Sequence, residues 1–262
     1  MTLLEAIGEL TQQTQGVLLA AILVFVRVSA LATLLPGFGE QSIPMRFRLV
    51  IAIAFSVLLW PLVAIDADLG QSLGPAVYPM ILSEAFVGVL LGLSLRIILM
   101  ALQFAGSIAA QSTSLAQMMG ASATPDPMPA IGNILVLTGL ALAFALGLHI
   151  KVVAALAQSY VVVPMGTLPF ASDVADWGVG KGATAFALAF TLSAPFIIAS
   201  FAYNLTLGVI NRAMPQLMVA FIGAPAITLG GILILALAGP ALLTSWNSVL
   251  DDALGAPFEV PR

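Results

Sequence analysis

The sequence has 262 residues, 61% of them hydrophobic and 8% charged, with a formal net charge of −4. Soluble domains carry roughly 45–50% apolar and about 25% charged residues, so this chain has too little charge to solvate a globular surface, and lipid is its expected solvent. The acidic balance, with eight scattered Lys and Arg, argues against a nucleic-acid partner, and the lack of cysteine excludes disulfides, iron–sulfur clusters and thiol chemistry.

The fold class expected is all-α: a polytopic membrane protein of about six hydrophobic helices arranged as hairpins, some broken by Pro or Gly, in a single membrane domain over residues 1–262. Residues 1–15 read as an amphipathic segment, in which Thr2 and Glu5 form a capping box and Leu3, Leu4, Ile7 and Leu10 share one face. No positive region precedes the first apolar run, so no cleaved signal peptide is expected. The spans fall at about 16–35, 49–65, 79–102, 130–150, 183–210 and 217–243. Residues 151–163 either extend the fourth helix or lie at the interface. Pro164 to Lys181 reads as a hydrophilic connection, and residues 247–262 as a tail.

Charge orients the chain weakly. With six crossings, Arg46, Arg48, Arg96 and Arg212 fall toward one side and Lys151, Lys181 and Arg262 toward the other. Pro195 and Pro225 sit inside the fifth and sixth spans, where each removes a backbone donor and should face packed or wet surroundings. Gly88 and Gly92 form a GxxxG that permits close helix contact.

Arg27 lies near the middle of the first span, and Glu84 and Arg96 lie within the third. An ionised group at that depth costs at least roughly 2.5 kcal/mol, so each needs a partner or water. An ion or proton pathway is one reading. The favoured one is an Arg27–Glu84 pair, or pairs to neighbouring subunits, fixing helix register, since a relay needs more than one acidic site. His149 alone makes neither a metal site nor a triad. "GVGKGAT" (Gly178 to Thr184) lacks the spacing and the Ser or Thr of a phosphate loop. "GAS" at Gly120 to Ser122, paired with distant His149, has no oxyanion hole to make it a serine protease. No catalytic residues, metal ligands or cofactors are expected.

The stretch 103–129, "QFAGSIAAQSTSLAQMMGASATPDPMP", holds one Asp and no Lys, Arg, His or Glu. If helix three continues past Leu102, Gln103, Ser107, Gln111, Ser114 and Met118 form one uncharged polar stripe, with Phe104, Ile108, Leu115 and Met119 on an opposing one. Gly120 and "TPDPMP" then end helicity. The soft Met118–Met119 pair suits a surface that seals and yields. A polar helix seam and a pore-lining segment remain equally open on composition.

Two further stretches carry a family resemblance. "RVSALATLLPGFGEQSIPMRFRLV" (Arg27 to Val50), with Arg27, Pro36, Pro44 and Arg46, resembles the first signature region of the FliR export-gate family, shared with virulence type III secretion. "NLTLGVINRAMPQLMVAFIGAPAITLGGIL" (Asn204 to Leu233), with Leu207, Gly208, Arg212, Pro215, Gln216, Gly223 and Pro225, resembles the second. Helix three, residues 103–129 and "HIKVVAALAQSYVVVPMG" also take part. After "PQL" the family usually has Asn and then an aromatic two residues later, whereas here Met218, Val219 and Ala220 precede Phe221.

The resemblance implies a component of the type III export gate in the bacterial inner membrane, within the flagellar basal body. One such chain would complete a ring with FliP and FliQ homologues, joined by a FlhB homologue, around a channel for unfolded export substrates. The region matching 103–129 (Gln103, Ser107, Gln111, Ser114, Met118, Met119 and Gly120) would plug the closed pore. Arg27, Pro44, Arg46, Glu84, Arg212, Pro215, Gln216, Gly223 and Pro225 would serve assembly and structure. The family's hairpins need not cross a bilayer conventionally. The rival expectation is a secondary transporter of a small solute, with a midplane site built from broken helices at Pro195 and Pro225 together with Asn204 and Arg212.

Overall fold

The computed structural model describes residues 3–39, 43–63, 77–114, 130–214 and 219–259, with side chains undescribed at 3–10, 12–13, 113–114, 219–222 and 224. These residues form helices α1 (Leu3–Leu34), α2 (Met45–Val63), α3 (Val77–Ser114), α4 (Ala130–Ala145), α5 (Leu148–Val162), α6 (Ala171–Ala213) and α7 (Val219–Gly255), and no strand. Helix is the expected outcome for lipid-solvated chain, because it satisfies each backbone N–H and C=O internally. Five helices are long and apolar enough to cross a membrane, and a sixth span follows if α4 and α5 are one broken span.

Several boundaries differ from the sequence expectation. The N-terminal segment is no separate element, since α1 runs unbroken from Leu3 into the first span. Helix α3 continues to Ser114, α6 starts at Ala171 and so contains Lys181, and the expected tail is helical as far as Gly255. Pro195 and Pro225 do not interrupt α6 and α7. In the turn before Pro195 the hydroxyls of Thr191 and Ser193 donate to the carbonyls of Ala187 and Phe190 at 2.8 and 3.0 Å, the kind of local adjustment by which membrane helices tolerate proline. The break falls instead at Leu146–Gly147, where Gly147 adopts φ 80°, ψ 35°, a left-handed conformation open to glycine at no steric cost.

The chain divides into two compact units. The first comprises Met1–Arg96, Gly147–Lys181 and Asp251–Arg262. Here α1 packs on α2, and Leu19, Ala20 and Leu23 are covered by Trp60, Met80, Ile81 and Met165. The GxxxG of α3 meets α1: a Cβ on Gly88 would run into the carbonyl oxygen of Arg27, and one on Gly92 would lie 2.7 Å from Leu34 Cβ and 3.0 Å from Leu31 O. Trp177, buried at the start of α6, donates its indole N–H to Pro257 O at 3.0 Å, tying the C-terminal segment to the unit.

The second unit comprises Ile97–Leu146 and Gly182–Leu250. Its α3 and α4 touch backbone to backbone, since a Cβ on Gly106 would overlap Gly132. Trp246 of α7 is buried and donates Nε1–H to Ile98 O at 2.9 Å. Phe104 stacks on Phe186 with ring centroids 5.5 Å apart.

The GxxxG contact predicts a graded response to substitution. Gly92→Leu should destabilise the protein by about 1–3 kcal/mol through overpacking, read as a lower Tm in detergent. Gly178→Ala, whose Cβ meets nothing within 4 Å, should leave Tm unchanged or slightly higher. Equal Tm values for the two variants would refute the close α1–α3 crossing.

Candidate functional site

The most elaborate polar arrangement among the described side chains is built on Arg27 of α1 and Glu84 of α3, both fully buried. Their contact is two-pronged: Arg27 Nε donates to Glu84 Oε2 at 2.7 Å and Nη2 to Oε1 at 3.0 Å. The guanidinium also donates to Ser159 Oγ at 3.0 Å and to Val163 O at 3.2 Å, and its Cζ lies 3.7 Å from the ring centroid of Tyr160. The carboxylate accepts two more donors, Gly166 N–H at 2.8 Å and Tyr160 O–H at 3.3 Å. Gly166 has φ 78°, and a Cβ there would strike Met80 Cε at 2.7 Å, so both the turn and the packing call for glycine.

The chemistry this arrangement supports is structural. The carboxylate is fixed by the guanidinium and by two further donors, so the two groups together hold α1, α3 and the connection after α5 in register. Taking both charges out of water is costly, and the pairing offsets that cost only because the remaining donors and acceptors are also engaged. The pair is tied to the connection after α5, so neither charge stands alone in a span. Ser159, Tyr160, Val163 and Gly166 escaped the sequence reading of this centre, although they lie within the stretch that carries the family resemblance.

A second feature lies on the C-terminal part of α3. Gln103 and Ser107 are half-buried and Gln111 is exposed, while Ile98, Ala101, Ala105 and Ala109 on the other side of the helix are buried. At about 100° per residue, Phe104 and Ile108 fall on the flank of the polar stripe rather than opposite it, which corrects the expected pairing of stripes. The Ser107 hydroxyl is turned back onto Gln103 O at 2.9 Å. Ser114 is the last described residue of α3. Met118, Met119, Gly120 and the remainder through Pro129 lie outside the described residues, as do Pro215 and Gln216.

The other signature residues are distributed over several elements. Pro44 and Arg46 are exposed at the start of α2, with Arg46 Cζ 5.5 Å from the Phe47 ring centroid. Arg212 is exposed in the last turn of α6, where a cation suits the helix dipole, and Pro225 is exposed in α7. Gly223 is buried: its carbonyl accepts the Tyr203 hydroxyl at 2.6 Å, and a Cβ there would stand 2.8 Å from the same oxygen. Tyr203 is a second partner that the sequence reading missed. Asn204 donates to Ser200 Oγ at 3.3 Å, and Ser200 in turn donates to Ser112 O. Gly178 to Thr184 lies inside α6, where its amides belong to the helix rather than to a phosphate cradle. Among the described residues no group of three or more His, Asp or Glu could hold a metal.

Long apolar helices around a buried charge centre used for packing define the class: an all-helical integral membrane protein. Residues 18–253 match the family model of bacterial export proteins, family 1. The flagellar biosynthetic protein FliR of Caulobacter vibrioides is 33% identical over 240 residues, covering 89% of this chain and 94% of the relative. FliR of Bacillus subtilis is 29% identical over 211 residues (79% and 80%), and FliR of Escherichia coli 27% over 224 (83% of each). The chain belongs to this export-protein family, and the match over residues 18–253 takes in both signature stretches together with helix three, residues 103–129 and the stretch from His149 to Gly166.

The charge centre predicts a sign in a double-mutant cycle. Arg27→Met leaves the Glu84 carboxylate buried without its cation and should cost about 3–5 kcal/mol, whereas the double variant Arg27→Met/Glu84→Leu should recover part of that loss. Thermal unfolding of four proteins in one detergent, the wild type, Arg27→Met, Glu84→Leu and the double variant, checks this. A double variant as unstable as the sum of the two single variants would mean that the pair is not coupled.

Proposed function

We propose that this chain is a structural component of the flagellar type III protein export gate in the bacterial inner membrane. It completes a ring with FliP and FliQ homologues, joined by a FlhB homologue at the flagellar basal body, and its substrates are unfolded export proteins. The observation that carries the reading is the family match over residues 18–253, with FliR proteins named for flagellar biosynthesis among the relatives. The role is architectural, with no reaction of its own.

Two features of the structure support it. Pro44, Arg46, Arg212 and Pro225 present exposed side chains, as residues that meet neighbouring subunits would. The uncharged stripe of Gln103, Ser107 and Gln111 is left partly open on a helix whose other side is packed, and an uncharged polar face can line an aqueous pore without the cost of a buried ion. In this reading residues 103–129 plug the closed channel, with Met118 and Met119 as the yielding seal and Gly120 as the stop to the helix. The transporter alternative expected breaks at Pro195 and Pro225, and α6 and α7 run through both without one.

Native mass spectrometry of the tagged protein, co-expressed with its genomic neighbours, tests the assembly. One copy recovered with several FliP and FliQ homologues is expected, and a monomer that ignores them would overturn the reading. In the assembled complex, Met118→Gly with Met119→Gly should raise ion conductance across liposomes. Conductance at the wild-type level would remove the plug while leaving the assembly intact.

A further inference from the structure

Within the first unit, a cleft of about 440 Å³ opens beside the connection between α5 and α6, walled chiefly by Leu90, Val162, Val163, Phe170, Val174 and Trp177. Its polar atoms are largely engaged elsewhere. Val163 O accepts from Arg27, the Trp177 indole N–H is given to Pro257 O, and Thr167 Oγ1 donates to Pro164 O at 2.7 Å. An occupant would therefore meet an apolar wall, a volume within the range of ligand pockets, and one charge among the lining residues, the carboxylate of Asp173. Asp176 follows three residues later on the same helix face and is exposed. Two large apolar side chains stand out beside the opening with nothing over them, Phe170 at 78% exposure and Leu168 at 57%.

Charge selects the occupant. A phospholipid chain would suit the walls, but its phosphate would be brought against Asp173 and Asp176. A polypeptide that places Lys or Arg there would gain by the same arrangement. Glu259, next to the lining residue Phe258, is also acidic, though the buried Lys181 nearby opposes it, so the unbalanced charge rests on the two aspartates. We propose that this cleft docks an amphipathic segment of a partner protein, which inserts a bulky apolar side chain and sets a Lys or Arg within one turn of it against Asp173 and Asp176. The inference stands on the cleft and its charge, not on the gate reading, and holds or fails separately from it.

The test uses the full-length protein in mild detergent and two fluorescein-labelled amphipathic helical peptides of the same pattern, one of Leu and Lys, the other of Leu and Glu, titrated by anisotropy. The Lys peptide should bind about 10-fold tighter or more, and Val174→Trp, which fills the cleft, should weaken it by a similar factor. Asp173→Asn with Asp176→Asn should reduce the preference to about 2-fold. Phe170→Ala, at an exposed position, repeats the apolar test without crowding the interior, and should also weaken the Lys peptide. Equal affinity for the two peptides overturns the proposal, as does Lys-peptide binding that ignores both Val174→Trp and Phe170→Ala, since that would be general attraction to an acidic protein. If native mass spectrometry instead finds a phospholipid retained by the wild type and lost in Val174→Trp, with peptide binding unchanged, the cleft is a lipid site and the proposal falls.

Discussion

A guanidinium and a carboxylate can be kept from both water and lipid only if nearly every donor and acceptor they carry is engaged, and this requirement organises the first unit. Arg27 comes from α1, Glu84 from α3, Ser159 and Tyr160 from α5, and Val163 and Gly166 from the connection that follows. No two of these elements complete the set alone. Sliding α1 by one turn along α3 would leave a buried charge without its partner, at a cost of several kcal/mol. The centre therefore specifies register more than it adds stability, since a well-packed apolar replacement could be as stable. Gly88 and Gly92 belong to the same device. They follow Glu84 at intervals of four on one face of α3, and their missing side chains let α1 approach closely enough for Arg27 to reach across.

Elsewhere the polar side chains are mostly turned inward on their own helices. Ser29, Ser56, Ser83, Ser94, Ser107, Ser112 and Ser193 each donate to a carbonyl three or four residues earlier. A hydroxyl used in this way makes little demand on lipid or on a neighbouring helix, so a polar residue in a span need not mark a pathway. Among the described residues, bonds that leave their own segment lie at seams: Trp177 to Pro257, Trp246 to Ile98, Tyr203 to Gly223, Ser200 to Ser112, and the ion pair of Lys151 with Asp251. Three of these five use an aromatic with a polar tip, a side chain that fills space while directing one hydrogen bond.

This distribution explains what the sequence could and could not show. Long apolar runs mark spans without reference to the rest of the chain, so the helical membrane class and the positions of its spans were legible. Arg27 and Glu84 stood out because a charge within such a run must have a partner. Ser159, Tyr160 and Gly166 did not stand out, since their value lies in reaching a residue more than seventy positions away, and nothing in their own neighbourhood records it. Proline misled in the opposite direction. Pro195 and Pro225 break helices by local rules, yet α6 and α7 absorb them, while Gly147, unremarkable in sequence, takes the left-handed turn that ends α4 and starts α5. Helix ends outside the apolar runs were missed for a similar reason: Ala171 to Gly182 and Asn247 to Gly255 are too polar for lipid but can be helical when one face packs, as buried Trp177, Leu250 and Leu254 do.

The lengths of these helices carry the last step. Helix α6 has 43 residues and α7 has 37, where about 20 suffice to cross a hydrocarbon core. Within the second unit the large exposed apolar side chains of α6 run from Phe186 through Phe190 and Phe201 to Ile210. Twenty-four residues at about 1.5 Å each is roughly 36 Å along the helix, against about 30 Å of hydrocarbon. A tilt near 35° immerses that stretch, within the roughly 0–40° that spanning helices adopt. The first turns of α6, from Ala171 to Gly182, are the polar ones, so they need packing rather than lipid to stay helical, and buried Trp177 supplies it. The excess length of α6 is thus the sum of two physically different pieces, an apolar one that lipid can solvate and a polar one held by side-chain packing.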